Sequence, residues 1–456
     1  MTRTRLNDIT MWYMVIIVAI VPFFLGGNRP LIWIGVTGAL SAYAIFYFTA
    51  MMVANEQAAG SLRKAWPFAV LFLIFIGYQT VQTLPGLPVS LTMLPDGLPV
   101  TSTISVAPHE TIFAIARWIS FGLTAYFTFQ VASNRHRCEK FMRILFWIAL
   151  LQAVIGFILF YVLKDTSLVG KKWTYIGSLT GTFINRNTVA TFLAAGVVLG
   201  MAEFVRTKEA SRFSKKGDGG RSLFTLTLIV AGVLLLLLDI ASTNSRMGLF
   251  VTFAGAITYA ILEMMVGIRR SQTETTATSQ GLRLGLALII MVAVLGLLAY
   301  YGTGTLERLG SAERSYDARA SLYAQVWDMI HLRPYTGFGG GAFATAYPLF
   351  HQLPVSVDLV WDKAHNTYLG LWSEYGFVFG SIPMLIVAYA FISILFAGGD
   401  RRDSSALTAV AVIILSAFHA LVDFSLEIEG YTLFFIAIVS AGYARISAGT
   451  ASSRGR

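Results

Sequence analysis

The sequence predicts an all-α polytopic integral membrane protein with about twelve transmembrane helices. The first observation is its composition, since 56% of the residues are hydrophobic and only 13% are charged, against about 25% charged in soluble domains. The second is that apolar runs long enough to cross a bilayer recur along the 456-residue chain. The net charge of +10 does not indicate nucleic-acid binding, because the basic residues lie in short loops between apolar runs.

Twelve apolar runs have the length of a membrane span, about 17–25 residues. They cover residues 9–27, 31–54, 65–84, 111–132, 141–163, 186–205, 222–241, 247–267, 283–301, 366–397, 405–423 and 430–447. The run at 366–397 is too long for one straight span, so we expect its first turns to lie in the membrane interface. The first run has no small-residue cleavage site, and we expect it to be retained as a helix.

The lysines and arginines indicate how these spans are oriented. Most of the 34 lie in alternate loops, which share one side if all twelve runs span the membrane. We predict that this side is cytoplasmic and that both termini face it. The organisation is then residues 1–301 with helices 1–9, residues 302–364 as a large outer loop with amphipathic helices, and residues 365–456 with helices 10–12 and a cytoplasmic tail. The single cysteine, Cys138, excludes an intrachain disulfide.

The large outer loop contains one predicted helix. Apolar residues recur at helical spacing within residues 316–331, which predicts an amphipathic helix there. Pro334 and the glycine cluster at 337–341 end it. Such glycines can bring backbone N–H groups close to a phosphate, but a tight turn is their commoner role, and we predict a turn.

Four arginines lie at or near the outer ends of spans, namely Arg29, Arg117, Arg186 and Arg246. An arginine at the centre of a span costs about 2.5–3.5 kcal/mol, so each position needs an explanation. For Arg29 and Arg117 we favour snorkelling to lipid phosphates, or a pair such as Arg117 with Glu110. Arg186 and Arg246 each open a helix behind an Asn-containing turn, where free N–H groups and the helix dipole favour an anion. We predict a phosphate or diphosphate site at this second pair.

His365 lies where the outer loop meets the tenth apolar run, beside Asn366. An ordinary pKa near 6.5 lets histidine accept a proton from a hydroxyl at neutral pH, which predicts a general base. The alternative is a hydrogen-bonding residue at the membrane edge. If a helix starts at Ala364, Glu374 falls on its opposite face, so we do not expect Glu374 to pair with His365.

Four more polar residues follow on the outer side. His419 and Asp423 are four residues apart, and they either close a helix end as a structural pair or orient a substrate. Glu427 and Glu429 lie two residues apart on a predicted turn, and we expect them to be solvated rather than to form the acid pair of a glycosidase.

Several motifs are absent from the sequence. It has no glycine-rich loop of the Gly-x-x-x-x-Gly-Lys-Ser/Thr type, so ATP hydrolysis is not predicted. It has no Asp-x-Asp, Cys-x-x-Cys or His-Glu-x-x-His motif, so we predict neither a metal nor a cofactor. A reaction on the outer side must then use a substrate that is already activated, and lipid diphosphate-linked sugars meet that need.

The chain resembles the O-antigen ligase and polymerase superfamily of bacterial envelopes. The resemblance covers most of the chain, from the number of spans to the large outer loop before the third-last span. The motifs that carry it are Arg319, Trp327, Pro334, Gly337, Gly339, Ala364-His365-Asn366, Tyr368-Leu369, Glu374 and Gly376, together with Gly181-Thr182-Phe183-Ile184-Asn185-Arg186-Asn187 and Ser245-Arg246.

The resemblance implies a GT-C-like glycosyltransferase of the bacterial inner membrane, with its active site facing the periplasm and no metal or cofactor. Its donor would be a glycan on undecaprenyl diphosphate, and in a ligase its acceptor would be a sugar of the lipid A-core. The family's diphosphate-binding arginines map onto Arg186 and Arg246, and its essential histidine maps onto His365. Asp423 matches only by its place in the same outer region. Further support is expected from Arg29, Arg117, Arg319, Asn366 and Glu374.

Two alternatives remain open at this point. A polymerase would use the same chemistry but would take a second lipid-linked glycan as its acceptor. A transporter of lipid-linked oligosaccharides would also fit twelve spans. Transporters usually place charged sites near the bilayer midplane, whereas the charges here cluster at the outer ends of the spans, so we favour an enzyme.

Overall fold

The computed structural model describes residues 2–58, 60, 62–86, 102–212, 219–271, 305–358, 360–397 and 403–448. Fourteen α-helices lie in these ranges. They are α1 Arg3–Ile20, α2 Pro30–Val53, α3 Leu62–Thr83, α4 Pro108–Ala132, α5 Arg135–Phe157, α6 Arg186–Arg212, α7 Gly219–Ser242, α8 Arg246–Ser271, α9 Thr305–Leu332, α10 Phe343–Ala346, α11 Thr367–Gly380, α12 Ile382–Leu395, α13 Ser404–Ala420 and α14 Glu429–Ala448. The strands β1 Thr166–Ser167 and β2 Gly170–Lys171 form a short antiparallel hairpin.

The helices confirm an all-α polytopic membrane protein. Within the described ranges, nine helices are long and apolar enough to cross a membrane, and the bent pair α11–α12 brings the number to ten. Helix α13 is apolar but shorter. The predicted run at 283–301 lies outside the described residues, and each of the other eleven predicted runs contains a described helix.

Helices α6 and α14 form the centre of the bundle. About 89% of the apolar window of α6 and 83% of that of α14 are buried inside the protein, far more than in the other spans. Helix α6 packs against α7, α8 and α5, while α14 packs against α13 and α4. The ring of Phe192 stacks on that of Phe434 with their centroids 4.3 Å apart, which joins the two central helices directly.

The long tenth run is broken into α11 and α12, whose axes differ by 73°. Gly376 takes a φ of +71° inside α11, and a Cβ at this position would lie 2.4 Å from the carbonyl oxygen of Tyr335. Only glycine fits such a backbone without strain. The backbone N–H of Phe377 then donates to the Pro334 carbonyl at 2.7 Å, which fixes the bend against the large outer loop.

Helix α9 contains the amphipathic helix predicted at 316–331, and α11 packs against it. The glycine cluster that follows forms a turn, as predicted. The N–H of Gly337 donates to the Arg333 carbonyl, that of Phe338 to Ser373 and that of Gly339 to Glu374, at 2.9–3.0 Å. Because these donors already have protein acceptors, the turn packs against α11 and does not present these N–H groups to a phosphate.

Candidate active site

The N-termini of α6 and α8 are joined by hydrogen bonds. Asn185 caps α6, since its side-chain oxygen accepts from the N–H of Asn187 at 2.7 Å. Ser245 caps α8 by accepting from the N–H of Gly248 at 3.0 Å, and its hydroxyl donates to the Asn187 side chain at 2.8 Å. Arg186 and Arg246 are therefore the first residues of two helices whose starts lie side by side.

Arg186 lies near two other arginines. The half-buried guanidinium of Arg186 lies 5.6 Å from the centre of the Tyr175 ring and donates to the Ser178 hydroxyl at 3.3 Å, while its buried Nε makes no hydrogen bond with the part of the chain that the structure describes. It lies within electrostatic range of Arg246 and of Arg319 from α9. Among the described residues, neither of these two has a carboxylate within ion-pair distance. Like charges that are close together and unpaired favour the binding of an anion.

Asp423 forms hydrogen bonds both with the turn that carries Arg186 and with the helix start that follows His365. Its buried carboxylate accepts hydrogen bonds from the side chains of Asn185, at 3.5 Å, and Asn187. The hydroxyl of Thr367, in the first turn of α11, donates to the Asp423 carbonyl at 3.2 Å. The turn before α6 and the start of α11 are thus both attached to one residue, although they are far apart in the sequence.

His365 is held in an unusual backbone conformation. Its φ is +51°, which is uncommon for a residue other than glycine. The Tyr323 hydroxyl donates to its carbonyl at 2.8 Å, and its ring lies edge-on to Phe424 with the two centroids 4.8 Å apart. Asn366 caps α11, accepting from Tyr368 N–H at 3.0 Å and donating to a carbonyl of the loop after α13.

The surroundings of His365 keep its imidazole neutral. Burial lowers the pKa of His365 below its ordinary value, and Arg319 lowers it further, while Asp423 and Asp362 oppose the shift. Its Nδ1 is buried and has no hydrogen-bond partner within the described ranges. A neutral imidazole at pH 7 is the form that can accept a proton.

Arg29 and Arg117 do not join this site. Arg117 donates to the carboxylate of Glu429 at 3.1 Å, and the Glu429 side chain is fully buried. The expected pairing of Arg117 with Glu110 is therefore wrong, as is the expectation that Glu429 is solvated, because a buried arginine in this bundle is neutralised by a buried acid. Arg29 is exposed and donates to the adjacent Asn28 carbonyl.

Glu374 lies in a second polar group, apart from His365. Its side chain is within electrostatic range of Lys363 and Glu427, and Lys363 pairs with Glu427 at 3.2 Å. Burial raises the pKa of Glu427, and Lys363 partly offsets the rise. The expectation that Glu427 is solvated is also wrong, since one of its oxygens is buried, with no partner among the described residues.

His419 and Asp423 do not form the side-chain pair considered above. The His419 carbonyl accepts from the Asp423 N–H at 3.1 Å, which closes the end of α13 through the backbone. The His419 ring is buried, and neither of its nitrogens has a partner among the residues that the structure describes.

Sequence reasoning missed Tyr323 and Tyr175, which contact His365 and Arg186. Tyr323 lies one helical turn after Arg319, so both side chains point from one face of α9 toward the site. The four-residue spacing can be read from the sequence, but the sequence does not show which part of the protein that face of α9 packs against. Among the described residues, no three His, Cys, Asp or Glu side chains come together in a way that could hold a metal ion.

A family model described as O-antigen ligase matches residues 231–384. This stretch contains Arg246, Arg319 and His365, while Arg186 and Asp423 lie outside it. The match confirms the resemblance to the O-antigen ligase and polymerase superfamily. No curated protein matches the chain.

Proposed function

From an O-antigen ligase family domain within a multi-pass membrane protein, we infer an inverting glycosyltransferase that moves a glycan from undecaprenyl diphosphate to a hydroxyl of the lipid A-core. The observation that carries this proposal is the arrangement around Asp423. Arg186 and His365 both lie within electrostatic range of this carboxylate, which also accepts from the side chain of Asn187 beside Arg186. A cationic group beside a general base is what displacement of a diphosphate by a hydroxyl requires.

Arg186, Arg246 and Arg319 bind the donor diphosphate in this proposal. Guanidinium groups form paired hydrogen bonds with phosphate oxygens, and the starts of α6 and α8 add the positive ends of two helix dipoles. As the bond from the sugar to the diphosphate breaks, negative charge grows on the leaving oxygen. Cations fixed in place stabilise that charge more in the transition state than in the ground state.

His365 accepts the proton. The acceptor hydroxyl approaches the anomeric carbon from the face opposite the diphosphate, and its oxygen forms the new glycosidic bond. Its proton passes to the neutral imidazole, while the diphosphate leaves with the electron pair. A single displacement of this kind inverts the anomeric configuration.

The remaining candidates have supporting roles. Asp423 positions the turn that carries Arg186, and Asn366 fixes the start of α11 beside His365. Glu374 lies in the polar group next to the site, and Arg117 with Glu429 anchors α4 to α14. We place the site at the periplasmic face of a bacterial inner membrane, with residues 302–364 as a periplasmic loop over it and both termini in the cytoplasm.

The deciding experiment is reconstitution of the purified protein with an undecaprenyl diphosphate-linked glycan. One reaction also receives lipid A-core, and a second receives only additional lipid-linked glycan. Glycosylated lipid A-core in the first reaction is the expected product. Longer glycans in the second reaction and no ligation in the first would identify a polymerase. Movement of the donor across a sealed bilayer with no new glycosidic bond in either reaction would identify a transporter.

A further inference from the structure

The segment of residues 163–177, between α5 and the turn before Arg186, is held in a defined conformation by hydrogen bonds. It contains the β1–β2 hairpin, and Asp165 accepts from the Lys172 ammonium and from the Gly177 N–H. Lys172 also donates to the Ser178 carbonyl at 2.8 Å and is itself buried. These buried polar contacts give the segment a defined shape, which determines the side chains that it exposes.

The outer surface of this segment is apolar. The exposed side chains are Leu163, Leu168, Val169, Trp173 and Ile176, each between 44% and 74% exposed. Lys164 and Lys171 are exposed among them. Exposed apolar side chains grouped on one short segment are typical of an interaction site, and a tryptophan with lysines is typical of a membrane interface. Tyr161 and Val162, in the helical turn Ile158–Val162 between α5 and this segment, are also exposed.

The same segment contacts the proposed donor site. Tyr175 lies beneath the Arg186 guanidinium, and Ile176, exposed, follows it in the chain. The Asn244 side chain, two residues before Arg246, donates to the Gly177 carbonyl at 2.9 Å. A lipid whose diphosphate binds Arg186 would therefore lie against the segment that carries Tyr175 and Ile176.

We propose that residues 163–177 form the surface that holds the isoprenoid chain of the donor lipid, leading its diphosphate to Arg186. The occupant is the polyprenyl chain and not bulk phospholipid, because the segment that exposes these apolar side chains also contacts Arg186 through Tyr175 and the turn before Arg246 through Gly177. The exposed lysines are placed to meet lipid phosphates. This inference rests on the proposed function, which takes the donor to be a lipid diphosphate.

The kinetic test compares two donors, one with an undecaprenyl chain and one with a short, water-soluble geranyl chain. The double variant Val169→Ser/Ile176→Ser removes apolar contact and adds no charge beside Arg186. We expect its KM for the long donor to rise about tenfold, with kcat and the KM for the short donor unchanged. Val357→Ser/Val360→Ser, at exposed positions of the other outer loop, is the matched control and leaves both KM values unchanged. An equal rise for both donors, or no rise, would overturn the proposal.

The binding test does not depend on catalysis. An environment-sensitive dye is attached to Ile176→Cys in a Cys138→Ser background, in nanodiscs of phosphatidylethanolamine and phosphatidylglycerol. Undecaprenyl diphosphate is expected to shift the dye emission to the blue, whereas inorganic diphosphate leaves it unchanged. Emission that is blue before addition and does not respond indicates bulk lipid only, and contradicts the proposal. If the native protein transfers no glycan, the proposed function fails, while this measurement still decides the lipid contact.

Discussion

At the residue scale, His365 is held against its local backbone preference. A non-glycine residue at positive φ costs about 1–3 kcal/mol and persists only when its surroundings determine it. The surroundings here are the Tyr323 hydroxyl on its carbonyl and the Phe424 ring against its imidazole. Such an arrangement fixes the direction of the imidazole before any substrate binds, as general-base catalysis requires.

Replacement of His365 separates its role as a base from a role as an anchor. We expect His365→Gln and His365→Ala to fold and to retain lipid diphosphate, but to transfer glycan about 10²–10⁴-fold more slowly. Glutamine keeps the size and one hydrogen bond but cannot take the proton. Transfer assays and donor binding are measured on the same preparations. Near-native transfer by His365→Gln would make the residue an anchor and direct the search for the base to Asp423 or Glu374.

The pH dependence follows from the direction of the His365 shift. Because burial lowers the pKa of His365 below about 6.5, the imidazole stays neutral at pH 7. The transfer rate is therefore expected to be flat around neutrality and to fall only as the pH drops below 6.5. This acid limb should disappear from the residual activity of His365→Gln. A rate that already halves above pH 7 in the native protein would contradict the assignment.

Tyr323 is expected to act as a positioning residue. Burial raises its pKa to about 12, so its hydroxyl remains a donor throughout the working pH range. Loss of one such hydrogen bond in Tyr323→Phe is worth about 0.5–1.5 kcal/mol, or about 2–10-fold in kcat, with the donor KM unchanged. Tyr335→Phe, at an exposed position of the same outer loop, is the control. A change in the donor KM of Tyr323→Phe with no change in kcat would contradict the positioning role of Tyr323.

At the element scale, Arg186 and Arg246, which we propose to bind the donor, lie at the N-termini of two helices. We expect Arg186→Ala and Arg246→Ala each to lower transfer by about 2–4 kcal/mol of transition-state stabilisation, by analogy with loss of an oxyanion donor. Lysine should rescue either position only in part, because it lacks the paired geometry of guanidinium. Arg29→Lys and Arg29→Ala serve as controls, since the exposed Arg29 donates to the carbonyl of the adjacent Asn28. If both alanine variants turned over the donor at the native rate, the prediction of an anion site at Arg186 and Arg246 would be wrong.

The backbone conformation of Gly376, inside α11, gives a prediction on stability. A Cβ at Gly376 would meet backbone atoms of Tyr335 and Pro334 at 2.4–2.9 Å, at a φ that other residues avoid. Gly376→Ala is therefore expected to lower the melting temperature in detergent and to reduce activity with it. Gly38→Ala, in α2 with open space around it, should be neutral or slightly stabilising. Equal melting temperatures for the two variants would show that the bend tolerates a side chain.

The elements were more predictable from sequence than the contacts between them. Apolar length alone located the described spans, since the bilayer fixes how many residues a helix needs. The Asn185, Arg186 and Asn187 turn was recognised as a helix start, because capping depends on neighbouring residues. The bonds from Asn185 and Asn187 to Asp423 cross more than 230 residues, and no local rule predicts such a pairing. The pairing of Arg117 with Glu429 is unpredictable for the same reason, because local spacing favours Glu110, which is close in sequence.

At the scale of the whole molecule, the described loops gather at two ends of the bundle. At one end Arg137 pairs with Asp8 at 2.8 Å and Arg445 with Asp403 at 2.7 Å. The outer ends of α5, α7 and α13 meet at the other end, around Arg186 and His365. The first end collects loops rich in lysine and arginine, and such loops stay in the cytoplasm. We therefore propose that the candidate site faces the periplasm, where the proposed donor and the lipid A-core would meet.

This orientation is tested by labelling single cysteines in a Cys138→Ser background. Glu56→Cys and His136→Cys lie at exposed positions of the basic end, while His109→Cys and Val357→Cys lie at exposed positions of the site end. In intact spheroplasts, a membrane-impermeant maleimide should label only the second pair, and the first pair only after the membrane is permeabilised. The charge rule acts on short loops near the spans, and the loops carrying Glu56 and His136 are both short. Labelling of Val357→Cys only after permeabilisation would place His365 in the cytoplasm, where the proposed reaction has no lipid A-core acceptor on the correct side.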